Sequence, residues 1–72
     1  MKVTYDPAVD ALYIRFVDEP MECTTILIND QVAVDFAQDD LVVGFELLDA
    51  SQIVDGIKDR RVTLENLTAD VT

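Results

Sequence analysis

An α+β fold is what this sequence predicts: a small antiparallel β-meander of about five short strands, with one short helix packed on one face after the last strand. Short runs of alternating apolar and polar residues recur between clusters of turn residues. After residue 49 the apolar spacing shifts from the period of a strand to that of a helix. A chain of 72 residues leaves no room for a second core, so residues 1–72 are read as one domain.

The first strand is Val3 to Tyr5, stopped by Asp6-Pro7, because proline fixes φ and lacks an amide donor. Asp6 suits the N-cap of a brief turn and Pro7 its first position. Ala11 opens the second strand, in which Leu12, Ile14 and Phe16 share one face and Tyr13, Arg15 and Val17 the other. Asp18-Glu19-Pro20 breaks that pattern, and the β-branched run Thr24 to Ile28 restores it as a third strand. Asn29-Asp30 tolerates positive φ and reads as a tight hairpin turn into Gln31 to Phe36. After the polar turn Gln38-Asp39-Asp40, Leu41 to Leu48 forms the fifth strand, with Val43, Phe45 and Leu47 opposite in face to Gly44 and Glu46. Ile53, Val54 and Ile57 then take helical spacing, with Asp49 or Ser51 as cap and Gly56 as stop. Beyond Arg61 two patterns compete: Val62 and Leu64 alternate as in a strand, while Leu64, Leu67 and Val71 are spaced as in a helix.

Half of the residues are hydrophobic, enough for a core despite the charge. A domain this small nevertheless buries only about 60% of the surface its unfolded chain exposes, and such domains usually lean on a disulfide, a metal or a second copy. Cys23 is the lone cysteine and there is no histidine, which removes an internal disulfide and a Cys/His zinc set. Homodimerisation is therefore expected, through apolar surface that one helix leaves uncovered. Fifteen acids against five bases give a formal charge of −10, which repels phosphate backbones and anionic lipids, so neither nucleic acid nor membrane is expected as a partner. Ahead of residue 58 only Lys2 and Arg15 offset twelve acids. That excess keeps a sheet soluble, or offers a docking surface to a basic protein. No charged start followed by an apolar stretch opens the sequence, and no apolar run is long enough to span a bilayer, so a cytoplasmic location is expected.

The segment Tyr5-Asp6-Pro7-Ala8-Val9-Asp10-Ala11-Leu12-Tyr13-Ile14-Arg15-Phe16 resembles the opening signature of a small bacterial and archaeal family of unknown function, Tyr-Asp-Pro-x-x-Asp-Ala-Leu-Tyr-Ile. Val34-Asp35-Phe36 continues the resemblance, and Val43 to Ser51 is similar to the family's Val-Gly-Ile-Glu-Ile-Leu-Asp-Ala-Ser block. The resemblance covers residues 1 to about 55 and divides the domain into a family-like core, 1–57, and a tail, 58–72, whose structure is left open. It implies a small sheet with a short helix and no established activity. It also implies that members are often tiny stand-alone proteins, some of them proposed as antidote-like partners of small toxins.

Candidate site residues are few. Asp6 and Asp10, four apart across a turn, could bind a divalent cation or divide acid and base roles; as a turn device, they cap and close the turn instead. Tyr13 and Arg15 share a face of the second strand, and Asp35 and Glu46 share one of the fourth and fifth strands if the register is simple. Such a cluster could hold a small anion or position a substrate, whereas cross-strand ion pairs on a solvated face are the plainer reading. Catalytic parts are missing: there is no histidine base, Ser51 lacks a nucleophile-elbow context, and Cys23 has no imidazole partner. Two glycines cannot build a phosphate-cradling loop, and the acids lack the spacing of a helix-loop-helix calcium site, so no cofactor, resident metal or catalytic residue is assigned. Cys23 is read as a small core residue. The sequence thus leans away from an enzyme and toward a protein-interaction module for a basic partner. The alternative is a small-ligand or divalent-metal module using Asp6, Asp10, Asp35 and Glu46.

Overall fold

The computed structural model describes residues 1–66. Five antiparallel strands, β1 (Lys2–Asp6), β2 (Ala11–Arg15), β3 (Thr24–Leu27), β4 (Val32–Phe36) and β5 (Val42–Leu47), lie in the order β1-β2-β5-β4-β3. A single helical turn, α1 (Ala50–Ile53), follows the last strand, and a 3-10 turn at Ile57–Asp59 follows it. This is the expected small α+β fold, with β3, β4 and β5 as the meander. The added step is that β5 also pairs with β2, which makes β5 the central strand and leaves β1 and β3 as the two edges.

Opposed residues in an antiparallel ladder share a face, and the registers resolve the sheet into rows. Val3, Ile14, Phe45, Val34 and Ile26 form one apolar row across all five strands, and Tyr5, Leu12, Leu47 and Val32 another beside it. The opposite face carries Thr4, Tyr13, Glu46, Ala33 and Leu27 in one row and Lys2, Arg15, Gly44, Asp35 and Thr25 in the next. The second apolar row is the one that α1 covers: buried Leu12, Ala50 and Ile57 meet there, with Tyr5, Ile14, Leu47 and Val54 against them. The first row is covered only in part, and both of its ends, Val3 and Ile26, are exposed. The molecule measures 34 × 31 × 19 Å, so its short dimension is one sheet with one layer laid on it at the usual spacing of about 10 Å. Phe16, just past β2, closes the far end of the apolar face by packing edge-on against Phe45, ring centres 5.4 Å apart.

Several local expectations change. Asn29 and Asp30 are not a positive-φ hairpin pair. Asn29 instead accepts the Gln31 and Val32 amides on its side-chain oxygen, each at 2.8 Å, and the wider loop is closed by the Ile28 amide donating to the Val32 carbonyl. The left-handed residues of the connections are mostly aspartates: Asp10, Asp39, Asp40 and Asp49, whose short side chains tolerate that region. The helical spacing of Ile53, Val54 and Ile57 is not one helix. Val54 is extended, Gly56 takes φ 76°, and Ile57 reaches the core from the following 3-10 turn while Ile53 stays exposed. Cys23 is not a core residue; it lies exposed ahead of β3, its thiol 3.4 Å from the Met21 carbonyl oxygen. Residues 61–66 carry no regular structure, which removes the strand reading of Val62 and Leu64; Leu67 and Val71 of the helical reading lie outside the described residues.

Gly44 is where the central strand is tightest. A Cβ there would stand 2.5 Å from the Ile14 carbonyl oxygen, a backbone atom that cannot turn aside. Gly44→Ala is expected to cost about 3 kcal/mol by forcing β2 and β5 apart, read as a lower urea midpoint at unchanged slope; a cost below about 1 kcal/mol would mean that the two strands yield freely.

Candidate functional site

Two clusters of polar side chains stand out, one at the β1–β2 turn and one on the face of the sheet opposite α1. The first is built around Asp10, which ends the β1–β2 turn in the left-handed region. Asp6 opens that turn by accepting the Ala8 amide at 3.0 Å. Asp10 accepts the Tyr5 hydroxyl at 2.7 Å and the Ser51 amide at 3.0 Å on Oδ1, and the Ser51 hydroxyl at 2.7 Å on Oδ2. Its carbonyl accepts the Ala50 amide at 2.9 Å. The first amides of α1 are thus satisfied by a residue 41 positions away. Asp49, which occupies the N-cap position, makes no capping bond with its side chain and is left-handed, so the expected local cap is replaced by a distant one. These donors hold the Asp10 carboxyl below its usual range, the Ser51 hydroxyl first and the Tyr5 hydroxyl next, with the Lys58 ammonium adding in the same direction. The same bond to Asp10 raises the Tyr5 phenol above 10.0. Both carboxylate oxygens of Asp10 are engaged, and Asp6 spends one of its own on the turn.

The second cluster lies on the open face of the sheet. Tyr13 stands opposite Glu46, and Arg15 and Asp35 flank Gly44 from either side, so the simple register brings the four named residues to one face. Thr25, unnoticed in the sequence, is opposite Asp35 and donates its hydroxyl to Asp35 Oδ1 at 2.6 Å. Glu46 lies diagonal to Asp35, within reach because Gly44 places no side chain between them. Its carboxyl is raised above 4.5, first because its protonated form donates to Asp35 and then because the site is partly desolvated. The expected cross-strand ion pair does not form: Arg15 turns its guanidinium away, donating from Nε to the Val17 carbonyl at 3.0 Å and from Nη2 to the Glu19 carbonyl at 2.7 Å. Among the described residues the one salt bridge joins the terminal amine to Asp18 at 3.4 Å. Over Gly44 the missing side chain leaves a hollow of about 230 Å³ bordered by Lys2, Thr4, Tyr13, Arg15 and Asp35. That is below the roughly 300–1,000 Å³ of sites that engulf small molecules. Among the described residues no three of His, Cys, Asp and Glu converge as a metal site, and no helix is long and apolar enough to cross a membrane.

The two clusters respond to pH in opposite senses. Asp10 has a folded pKa below its ordinary 3.8, so its stabilisation is present above that value and is lost as pH falls through the folded pKa. Glu46 has a folded pKa above 4.5, so the contribution of its protonated form is present below 4.5 and is lost as pH rises through the raised value. In a Tm-versus-pH profile, Asp10→Ala should lower Tm by about 5 °C or more at pH 7 and flatten the acid limb. Glu46→Gln should raise Tm at pH 7 and change nothing at pH 3.5. An acid limb that survives in Asp10→Ala would place the acid-sensitive bond elsewhere.

No curated protein and no solved structure matches the chain. A family match does exist, over residues 2–51, more than half of the sequence. It spans the stretch from β1 to Ser51 and so includes every hydrogen bond of the Asp10 cluster and all four residues of the open-face group. The chain therefore belongs to the family described as Protein of unknown function (DUF2283).

Proposed function

We propose that this chain is a non-enzymatic protein-interaction module of the cytoplasm, a homodimer whose acidic surface receives a basic partner protein through the Asp35–Glu46 pair of the open face. One observation carries the reading. Asp35 and Glu46 lie diagonal to one another on the open face, and Arg15, in the same row as Asp35, is committed to backbone carbonyls instead of to them. Two neighbouring carboxylates with no cation bonded to either favour an ammonium or guanidinium brought from outside. Tyr13, half-exposed beside Glu46, adds an aromatic surface of the kind that anchors such contacts. The small volume of the hollow over Gly44 and the absence of a histidine base both fit recognition better than catalysis. An antidote-like role toward a basic toxin is the form of this reading that the family resemblance adds.

The test is a pull-down from lysate of the source organism with wild-type bait beside an Asp35→Asn/Glu46→Gln bait. A stoichiometric basic protein released by high salt and absent from the double variant is the expected result. Equal recovery on both baits, or none on either, would overturn the assignment of this face.

A second reading, a divalent-metal or small-ligand module, draws on the same pair, because a cation between the two carboxylates would offset their mutual repulsion. Asp6 and Asp10 add little to it, their oxygens being spent on the turn and on α1. Two carboxylates and a hydroxyl fall short of the six to eight oxygens that calcium takes. Under this reading millimolar calcium, magnesium or manganese raises Tm, since a ligand of the native state must stabilise it; under the interaction reading Tm stays put.

A further inference from the structure

The two edges of the sheet are finished differently. Along β1 the ends carry Lys2 and Asp6, Pro7 follows, and the segment holding Ile57, Arg60 and Val62 runs beside Val3, Thr4 and Tyr5 with a hollow between them. These are the devices by which sheets discourage further pairing. The β3 edge has none of them. All four of its residues are exposed, and no charge occurs between Glu22 and Asp30. Ile26, Leu27 and Ile28 follow one another at 48%, 68% and 61% exposure, alternating between the two faces. Single exposed aliphatic residues are ordinary, but three in succession on an unpaired edge form an adhesive strand.

We propose that the free edge of β3 pairs antiparallel with β3 of a second copy of this chain, centred on Ile26. The proposal rests on the dimer reading above and names its interface. Three features select a second copy as the occupant. The first is charge: a −10 chain approaches its own copy most easily along its one uncharged edge, and that edge offers a basic partner no acid to bind. The second is hydrogen-bond register. The Ile28 amide bonds the Val32 carbonyl, so by alternation the inward-pointing backbone groups belong to Ile28, Ile26 and Thr24, and the outward ones to Leu27 and Thr25. About a two-fold axis at Ile26, Thr25 of each copy meets Leu27 of the other, and these outward groups satisfy one another. The third is continuity. The apolar row Val3, Ile14, Phe45, Val34 and Ile26 ends exposed at that axis, and pairing there runs it on into the same row of the second copy. Such a contact is isologous and closed, which gives a dimer and not a fibre.

The experiment uses the full chain in light scattering after gel filtration, with Leu27→Lys as the edge-charging variant. Wild type is expected at twice 8.0 kDa, and Leu27→Lys at 8.0 kDa with its circular dichroism unchanged, since Leu27 is exposed and its loss empties no core. A crosslink fixes the register independently of folding effects. In a Cys23→Ser background, Ile26→Cys should oxidise to a covalent dimer at least tenfold faster than Ile28→Cys, because directly opposed non-hydrogen-bonded positions lie about 4.5 Å apart at Cα, within disulfide reach. A monomeric wild type overturns both the interface and the dimer reading. A dimer that persists in Leu27→Lys, or crosslinks equally at the two positions, overturns the β3 interface alone and leaves the dimer reading standing.

Discussion

The Asp10 carboxylate is the tie on which the rest of this small fold depends. A helical turn of four residues has no stability of its own, and α1 holds its place because Asp10 supplies partners for its first amides while Ala50 packs into the core. The same carboxylate holds the Tyr5 hydroxyl, so one side chain locks the β1–β2 hairpin and anchors the segment after β5. Its left-handed backbone is what turns the carbonyl and the carboxylate toward α1 together. Pairing of β2 with β5 and docking of α1 are therefore one event: each brings Asp10 and Ser51 within bonding distance only if the other has occurred. In a chain with a thin core, that coupling substitutes for the bulk of packing that larger domains use.

What the tie leaves undone is as consequential as what it secures. Drawing α1 to the end of the sheet that holds Tyr5, Leu12 and Leu47 covers one apolar row and leaves the neighbouring row open at both ends. On the opposite face Gly44 allows β2 and β5 to come close, and the space it vacates lets Glu46 reach diagonally toward Asp35. A packing constraint on the backbone and an unneutralised carboxylate pair thus have the same residue behind them.

Strand identity was legible because most strands alternate, β3 is a β-branched run, and each break carries proline, asparagine or aspartate. The shared face of Tyr13, Arg15, Asp35 and Glu46 followed from the same alternation. Strand order was not legible, since nothing local to β2 or β5 records that they pair; the record is a hydrogen bond spanning 41 residues. Asp49 misled for the same reason: it has the right chemistry for a cap, but a residue remote in sequence had already met the amides. Arg15 misled because a guanidinium can bond a neighbouring carbonyl as readily as a carboxylate across the ladder, and the bend of the chain after β2 put the Val17 and Glu19 carbonyls within its reach. Cys23 reads as apolar, yet it precedes an edge strand whose every residue is exposed, and burial is a property of the strand's place in the sheet.

Charge separates the two contacts that this molecule is argued to make. Acids dominate the connections, while the stretch from Cys23 to Asn29 carries none. Salt acts on the two with opposite sign: it screens the mutual repulsion of two −10 chains and so favours contact along β3, and it screens the attraction between the Asp35–Glu46 pair and a basic partner. The surfaces differ physically as well. The edge offers backbone hydrogen bonds and aliphatic contact, which are indifferent to a partner's charge but demanding of register. The open face offers charge on a rigid strand, which is demanding of the partner's sign and tolerant of its exact seat. A dimer built on the edge would present two Asp35–Glu46 pairs on one continuous sheet, so a bivalent basic partner would engage the second at a high effective concentration once held by the first. In that arrangement self-association strengthens partner binding without any new contact, which gives the unprotected edge a use that offsets its risk.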